Sequence, residues 1–127
     1  MLNASTTFSS FSVPVITTAE KFYRATLGLN VEKTPEGLSL HLTGGVNVFI
    51  YVSPTNKPAD FTVLNFIVTD IEKTVDELIA EGVTMERYDM PYLKTNEKVI
   101  AWNEQGPKAI AWFKDPAGNI LSVLQEK

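Results

Sequence analysis

One imidazole and a scatter of hydroxyls, amides and indoles are the groups in this sequence that could do chemistry. His41 is the single histidine among 127 residues, and there is no cysteine. That absence excludes a disulfide framework, thiolate metal sites and a cysteine nucleophile. An imidazole titrates near neutrality, so His41 is a candidate general base or a hydrogen-bonding group for a ligand. It alternates with Leu38, Leu40 and Leu42, which sends it to the opposite sheet face from those leucines. Nothing local in sequence activates the ring, and a half-exposed strand histidine is the plainer reading. Trp102 and Trp112 are the bulkiest aromatics. A planar indole can hold a flat ligand, adding ~0.5–1.5 kcal/mol beyond its area, but it serves equally in cores and dimer interfaces. For Trp112 the core or interface reading leads; for Trp102, with Met90 and Tyr92, a lid or ligand role leads. The loop carboxylates Asp89, Glu104 and Asp115 could do acid–base work, although such groups are usually solvated. Gly44-Gly45 falls in a hairpin and not before a helix, so it is no phosphate cradle. No residue is assigned as catalytic.

Eleven basic residues against fifteen acidic ones give a net charge of -4. That balance leaves no electrostatic footprint for nucleic acid or anionic lipid. No apolar run approaches the roughly 20 residues of a membrane span. The segment Met1–Thr7 lacks the basic start and apolar core of a signal peptide. The expectation is a cytoplasmic protein with neither nucleic-acid nor membrane partners.

Ile71, Val75, Leu78 and Ile79 repeat as one helix face, with Glu72, Lys73, Asp76 and Glu77 on the other. Thr69 with Glu72 predicts a capping box, and Gly82 a stop. Upstream, Thr17 with Glu20 predicts the same start. Ala19, Phe22, Tyr23 and Leu27 supply the buried stripe and Gly28 the stop. Period-two or apolar segments predict strands at Thr6–Val13, Val31–Thr34, Leu38–Leu42, Val46–Val52, Thr62–Val68, Val83–Arg87, Lys108–Lys114 and Ile120–Gln125. Thr43-Gly44-Gly45 and Asp115-Pro116-Ala117-Gly118-Asn119 predict tight hairpin turns. Asp89–Pro107 reads as a long irregular stretch, of the kind that is often functional or mobile.

The chain repeats itself. Phe11-Ser12-Val13 matches Phe66-Ile67-Val68, and Gly28-Leu29-Asn30-Val31-Glu32 matches Gly82-Val83-Thr84-Met85-Glu86. Each half reads strand, helix, then three strands. A module this short cannot bury both faces of its sheet, so the halves must pair. The expected fold is α+β: two tandem βαβββ modules forming a curved mixed sheet around a cleft. Residues 1–127 make one domain, with repeats at 6–52 and 61–126 and a linker at 53–60. Strand parity aims Phe8, Ser10, Ser12, Val63, Asn65, Ile67, Ile120, Ser122 and Leu124 inward. That wall is apolar with a few hydroxyls and one amide. It suits a small apolar or aromatic ligand oriented by sparse hydrogen bonds, or else it is simply a filled core.

Ala19-Glu20-Lys21-Phe22-Tyr23-Arg24-Ala25-Thr26-Leu27-Gly28-Leu29 resembles the first-helix signature of the vicinal oxygen chelate superfamily, which includes glyoxalases, bleomycin-resistance proteins and ring-cleaving dioxygenases. Phe66-Ile67-Val68-Thr69-Asp70-Ile71 is similar to its second strand-to-helix junction, and Phe113-Lys114-Asp115-Pro116-Ala117-Gly118-Asn119 to its last hairpin. Metal-dependent members place His or Glu on the first and last strands of each half. Here those positions fall on Phe8, Val63, Ser122 and either Phe49 or Tyr51, none a usual ligand for a divalent ion. The resemblance therefore implies a metal-independent binder of a small molecule, without cofactor. Ligand-binding candidates are Phe8, Ser10, Ser12, His41, Tyr51, Val63, Asn65, Trp102, Trp112 and Ser122. It also implies a homodimer. The alternatives are a divergent enzyme (a lyase, isomerase or dioxygenase-like protein, metal-dependent or using His41) and an interaction module whose cavity is filled.

Overall fold

The computed structural model describes residues 1–103, 105, 106 and 108–127. Glu104 and the loop end Pro107 lie outside them. The chain divides into two compact units, Met1–Lys57 and Pro58–Lys127.

In the first unit, β1 (Ser9–Val13) leads into α1 (Ile16–Lys21) and a π-helical turn over Phe22–Thr26, followed by β2 (Asn30–Thr34), β3 (Gly37–His41) and β4 (Asn47–Val52). The sheet order is β1-β4-β3-β2. β1 runs parallel to β4 and the other pairs are antiparallel. α1 starts at Ile16 with Val15 as its cap and no side-chain capping bond, so the box expected from Thr17 and Glu20 does not form. Thr17 already lies inside the first turn, and Glu20 pairs with Arg24 one turn on. The expected stop does form. Gly28 takes φ +69, and the Leu29 N–H donates to the Tyr23 carbonyl at 3.0 Å, closing the helix end as a left-handed glycine allows.

The second unit repeats this order with β5 (Thr62–Ile67), α2 (Ile71–Ala80), β8 (Ala101–Trp102), β9 (Ala109–Lys114) and β10 (Ile120–Gln125). A small hairpin, β6 (Asp89–Met90) and β7 (Leu93–Lys94), is inserted before β8. The sheet order β5-β10-β9-β8 is that of the first unit strand for strand. This is the topology of tandem βαβββ modules. α2 is capped by Asp70 and not Thr69: the Asp70 carboxylate accepts from the Lys73 N–H at 3.2 Å, and the Ile71 N–H donates to Gln125 Oε1 at 2.9 Å.

The expected strand Val83–Arg87 is not a strand. It makes one isolated bridge, Met85 to Phe113, because the outer edge of β9 is shared. β8 pairs with its first residues, Ala109 and Ile110, and Met85 meets its far end. Asp89–Pro107 is likewise not wholly irregular, since it holds the β6–β7 hairpin and β8. Beyond the hairpin, Asn96 closes a turn by accepting from the N–H groups of Lys98 and Ile100.

Each helix packs on its own sheet. Phe11, Val13, Leu38, Leu40, Val48 and Ile50 are buried with Tyr23 in the first unit; Phe113, Ala111, Leu121 and Val123 are buried with Val75 and Leu78 in the second. Register then fixes which side chains occupy the helix-free face of each sheet, since directly paired residues share a face.

Candidate functional site

On the first sheet the row Ser10–Phe49–Ser39–Glu32 lies on the helix-free face, flanked by Ser12–Tyr51–Gly37 on one side and Asn47–His41–Asn30 on the other. Phe8, just ahead of β1, sets its ring edge-to-face on Phe49 with centroids 6.3 Å apart. Around this pair is a recess of about 200 Å³ lined by Thr6, Thr7, Phe8, Ser39, His41, Asn47, Val48 and Phe49. Ser12 donates through its hydroxyl to Asn56 Oδ1, at one end of the face. Ser10 and Tyr51 are exposed on the same face but do not line the recess.

His41 is not idle on this surface. Its Nε2 lies 2.8 Å from Glu32 Oε1, and its Nδ1 lies 3.0 Å from Asn47 Oδ1. The imidazole thus bridges three strands: β2 through Glu32, its own β3, and β4 through Asn47. The sequence offers the ring no local partner, and the structure brings these two from neighbouring strands. The signal that could have found them is the hairpin itself. The turn after His41 closes with the Leu42 N–H donating to the Val46 carbonyl at 2.8 Å, which sets Asn47 opposite His41.

The bond to Glu32, and then that to Asn47, raise the His41 pKa above its ordinary value of 6.5. A group whose pKa is raised on folding contributes stability that is present below its unfolded value and is lost as pH rises through the folded one. Wild type is therefore expected to lose denaturation midpoint relative to His41→Gln as pH climbs from about 6 toward about 9. Guanidinium titrations at stepped pH check this. Parallel midpoint curves for the two proteins would refute it. The side chains are exposed, so the difference is small.

On the second sheet, Asn65, Ser122 and Trp112 form one row, with Ile67, Leu124 and Ile110 beside it. Ser122 is fully buried and donates to Asn65 Oδ1. Val63 is the extra residue of a bulge: Thr62 pairs with Ile120 and Leu64 with Leu121. So Thr62, and not Val63, meets the indole, accepting from Trp112 Nε1–H at 3.2 Å. Tyr88 sets its ring edge-on to Trp112 at 5.3 Å. Burial is the main cause that raises the phenol's pKa, with the Glu86 charge adding to it, so at neutral pH Tyr88 keeps its proton.

The two tryptophans are not brought together. Trp102 is in β8, where pairing with Ala109 puts it on the face of Ala111 and Phe113, opposite to Trp112. Its half-exposed ring has Lys108 Nζ 6.0 Å from its centroid. Tyr92 is the exposed tip of the β6–β7 hairpin. Asp115 is a turn-former: its Oδ1 accepts from the N–H groups of Ala117 and Asn119, and its Oδ2 from the Asn119 amide. Asp89 pairs with Lys94 across the hairpin at 3.8 Å.

The superfamily's metal does not fit these side chains. Phe8, Val63 and either Phe49 or Tyr51 offer rings, a branched alkyl group or a phenol, and Ser122 offers only a neutral hydroxyl, which donates to Asn65 and is no usual ligand for a divalent ion. Among the described residues no three His, Cys, Asp or Glu side chains converge in a way that could hold an ion.

The points of reference are structural. No protein-family model matches the sequence, and no curated protein matches it. Solved structures do match over nearly the whole chain. FosX, a fosfomycin resistance protein from Listeria monocytogenes, is similar at a TM-score of 0.70 and 11% identity, covering 99% of this chain and 96% of that one. TnmS3, an antibiotic binding protein from Streptomyces sp. CB03234, is similar at 0.63 and 22%, covering 99% and 100%. A glyoxalase family protein from Enterococcus faecalis is similar at 0.66 and 20%, covering 92% and 94%. The chain has the vicinal oxygen chelate fold that its sequence motifs resemble. At these identities the likeness establishes the fold, and the chemistry has to be argued from the site. Among the described residues no helix is long and apolar enough to cross a membrane.

Proposed function

We propose that this protein is a metal-independent small-molecule binding protein of the glyoxalase/bleomycin-resistance type, acting as a cytoplasmic homodimer. Its ligand is small and largely apolar or aromatic. The observation that supports this is the make-up of the helix-free sheet faces. Aromatic rings stand there beside a few fixed polar groups: Phe8 and Phe49 near His41 and Asn47, and Trp112 and Tyr88 near Asn65 and Thr62. Rings orient a flat ligand at low entropy cost, and sparse donors and acceptors set its pose. The positions that hold a metal in related enzymes carry Phe8, Val63 and Ser122 instead, so binding and not Lewis-acid catalysis is the favoured use. Binding of an antibiotic by TnmS3 is consistent with this reading.

Tryptophan fluorescence titrated with a panel of planar aromatic compounds tests it. At least one compound is expected to quench saturably, with and without a chelator. Trp112→Leu is expected to weaken that compound about threefold to tenfold by calorimetry, the equivalent of ~0.5–1.5 kcal/mol of ring contact. A silent panel at millimolar concentration would remove the proposal, and so would binding that vanishes on chelation.

A further inference from the structure

We propose that the recess on the helix-free face of the first unit seats the ligand's acidic group, a carboxylate carried on a small aromatic ring. This rests on the small-molecule reading above and narrows the ligand to an aromatic acid.

The apolar part of the argument is the Phe8–Phe49 pair. The edge-to-face contact fixes Phe49 from one side, and Phe8 is 66% exposed, so its ring has surface left to cover. The polar part is His41. Both of its ring nitrogens face oxygen acceptors, the Glu32 carboxylate and the Asn47 amide oxygen. A neutral imidazole carries one N–H and can satisfy only one of them; the imidazolium satisfies both. With the Asn47 oxygen turned to the ring this arrangement favours the cation, in line with the upward pKa shift that the Glu32 contact causes.

Asn47 gives its oxygen to His41, which leaves its NH₂ group free to donate. The hydroxyls of Thr7 and Ser39 add further donors within the same recess. Glu32 reaches the ring from β2 but is not among the residues lining the recess. It is the one titratable partner of His41 among the described residues, because Asn47 on β4 and the segment Thr6–Phe8 do not titrate. The lining thus offers the imidazolium of a His41–Glu32 ion pair, both of whose N–H groups are engaged, beside the remaining donors of Asn47, Thr7 and Ser39 and two rings, with the Glu32 carboxylate outside it. That combination fits a carboxylate on a flat apolar body, held by the neutral donors and favoured modestly over its neutral analogue by the nearby imidazolium.

The test is an NMR titration of the full chain with benzoate and with benzamide, its neutral analogue, at about pH 6 and low salt. Benzoate is expected to move the ring signals of His41, Phe8 and Phe49 saturably and to bind about threefold tighter than benzamide. His41→Gln should erase that preference. Glu32→Gln separates a charge effect from a merely structural one. At about pH 5.5, where His41 stays protonated without Glu32, benzoate should bind tighter because the competing carboxylate is gone. The fall of benzoate affinity with rising pH should also move to lower pH. Equal binding of the two compounds, or benzoate shifts that map away from the recess, would overturn the proposal. So would no binding of either at millimolar concentration. In each case a planar compound that still quenches the tryptophans, with and without a chelator, keeps the broader small-molecule reading standing, and a silent fluorescence panel together with no NMR shifts removes both.

Discussion

Tyr23→Ala is expected to destabilise the protein by about 4 kcal/mol, the usual loss when a buried aromatic ring is cut to a methyl group. Tyr23 is fully buried in the π-helical turn, with Phe11 at 6.0 Å on one side and Phe22 at 5.2 Å, edge-on, on the other. It also shapes the helix end, because its carbonyl accepts from the Leu29 N–H beyond Gly28. Removing the ring strands the Phe11 side chain of β1 beside a cavity that main-chain hydrogen bonds on either side keep from collapsing. Guanidinium unfolding at fixed pH reads the change, and Tyr23→Phe, which keeps the ring, should cost far less. A loss below about 1 kcal/mol for the alanine variant would show that the turn is not the anchor its packing implies.

Gly37→Ala is expected to cost about 3 kcal/mol, at the upper end of what overpacking usually costs. A Cβ at this position would stand 2.1 Å from the Ile50 carbonyl oxygen and 3.2 Å from Phe49 Cζ. A side-chain tip could swing away, but a backbone carbonyl held in a strand cannot, so β3 must shift against β4. That displacement reaches the candidate site, because the same two strands hold His41 opposite Asn47. The variant should therefore show both a lower denaturation midpoint and a His41 pKa moved back toward its ordinary value, read by NMR. Gly28→Ala is the contrast. Nothing lies within 4 Å of its added Cβ, so only the left-handed backbone, at φ +69, opposes it, at roughly 1–2 kcal/mol. If Gly37→Ala proved no worse than Gly28→Ala, the close approach of β3 to β4 would not be the constraint described here.

The two cases show where local pattern carries information and where it stops. Gly28 and Gly82 were legible as helix stops because a left-handed residue is a local requirement. Both do take positive φ. The caps were less legible. Thr69 and Asp70 are both good capping residues in adjacent places, and the choice fell to the one whose carboxylate meets the Lys73 N–H while Gln125 of β10 takes up the Ile71 N–H. A bond from the far end of the unit cannot be seen in a window of a few residues. β8 is two residues long, too short for any period to register, so Val83–Arg87, with its alternating Val83 and Met85, was the stronger pattern and the wrong strand.

By itself, the sequence determined the alternation that builds each strand, the apolar stripe of each helix, the order of elements repeated in both halves and the residue types at the superfamily's metal positions. These are properties of single residues and of short-range period, set by side-chain volume, polarity and backbone freedom. Only the tertiary structure decided that Glu32 and Asn47 hold both nitrogens of His41, that β8 takes part of the edge of β9, that Thr62 displaces Val63 beside the indole, and that Trp102 and Trp112 face opposite ways. Each of those depends on which strands pair and in which register. Register is settled by hydrogen bonds between residues distant in the chain, where a slip of one position would turn every side chain to the other face.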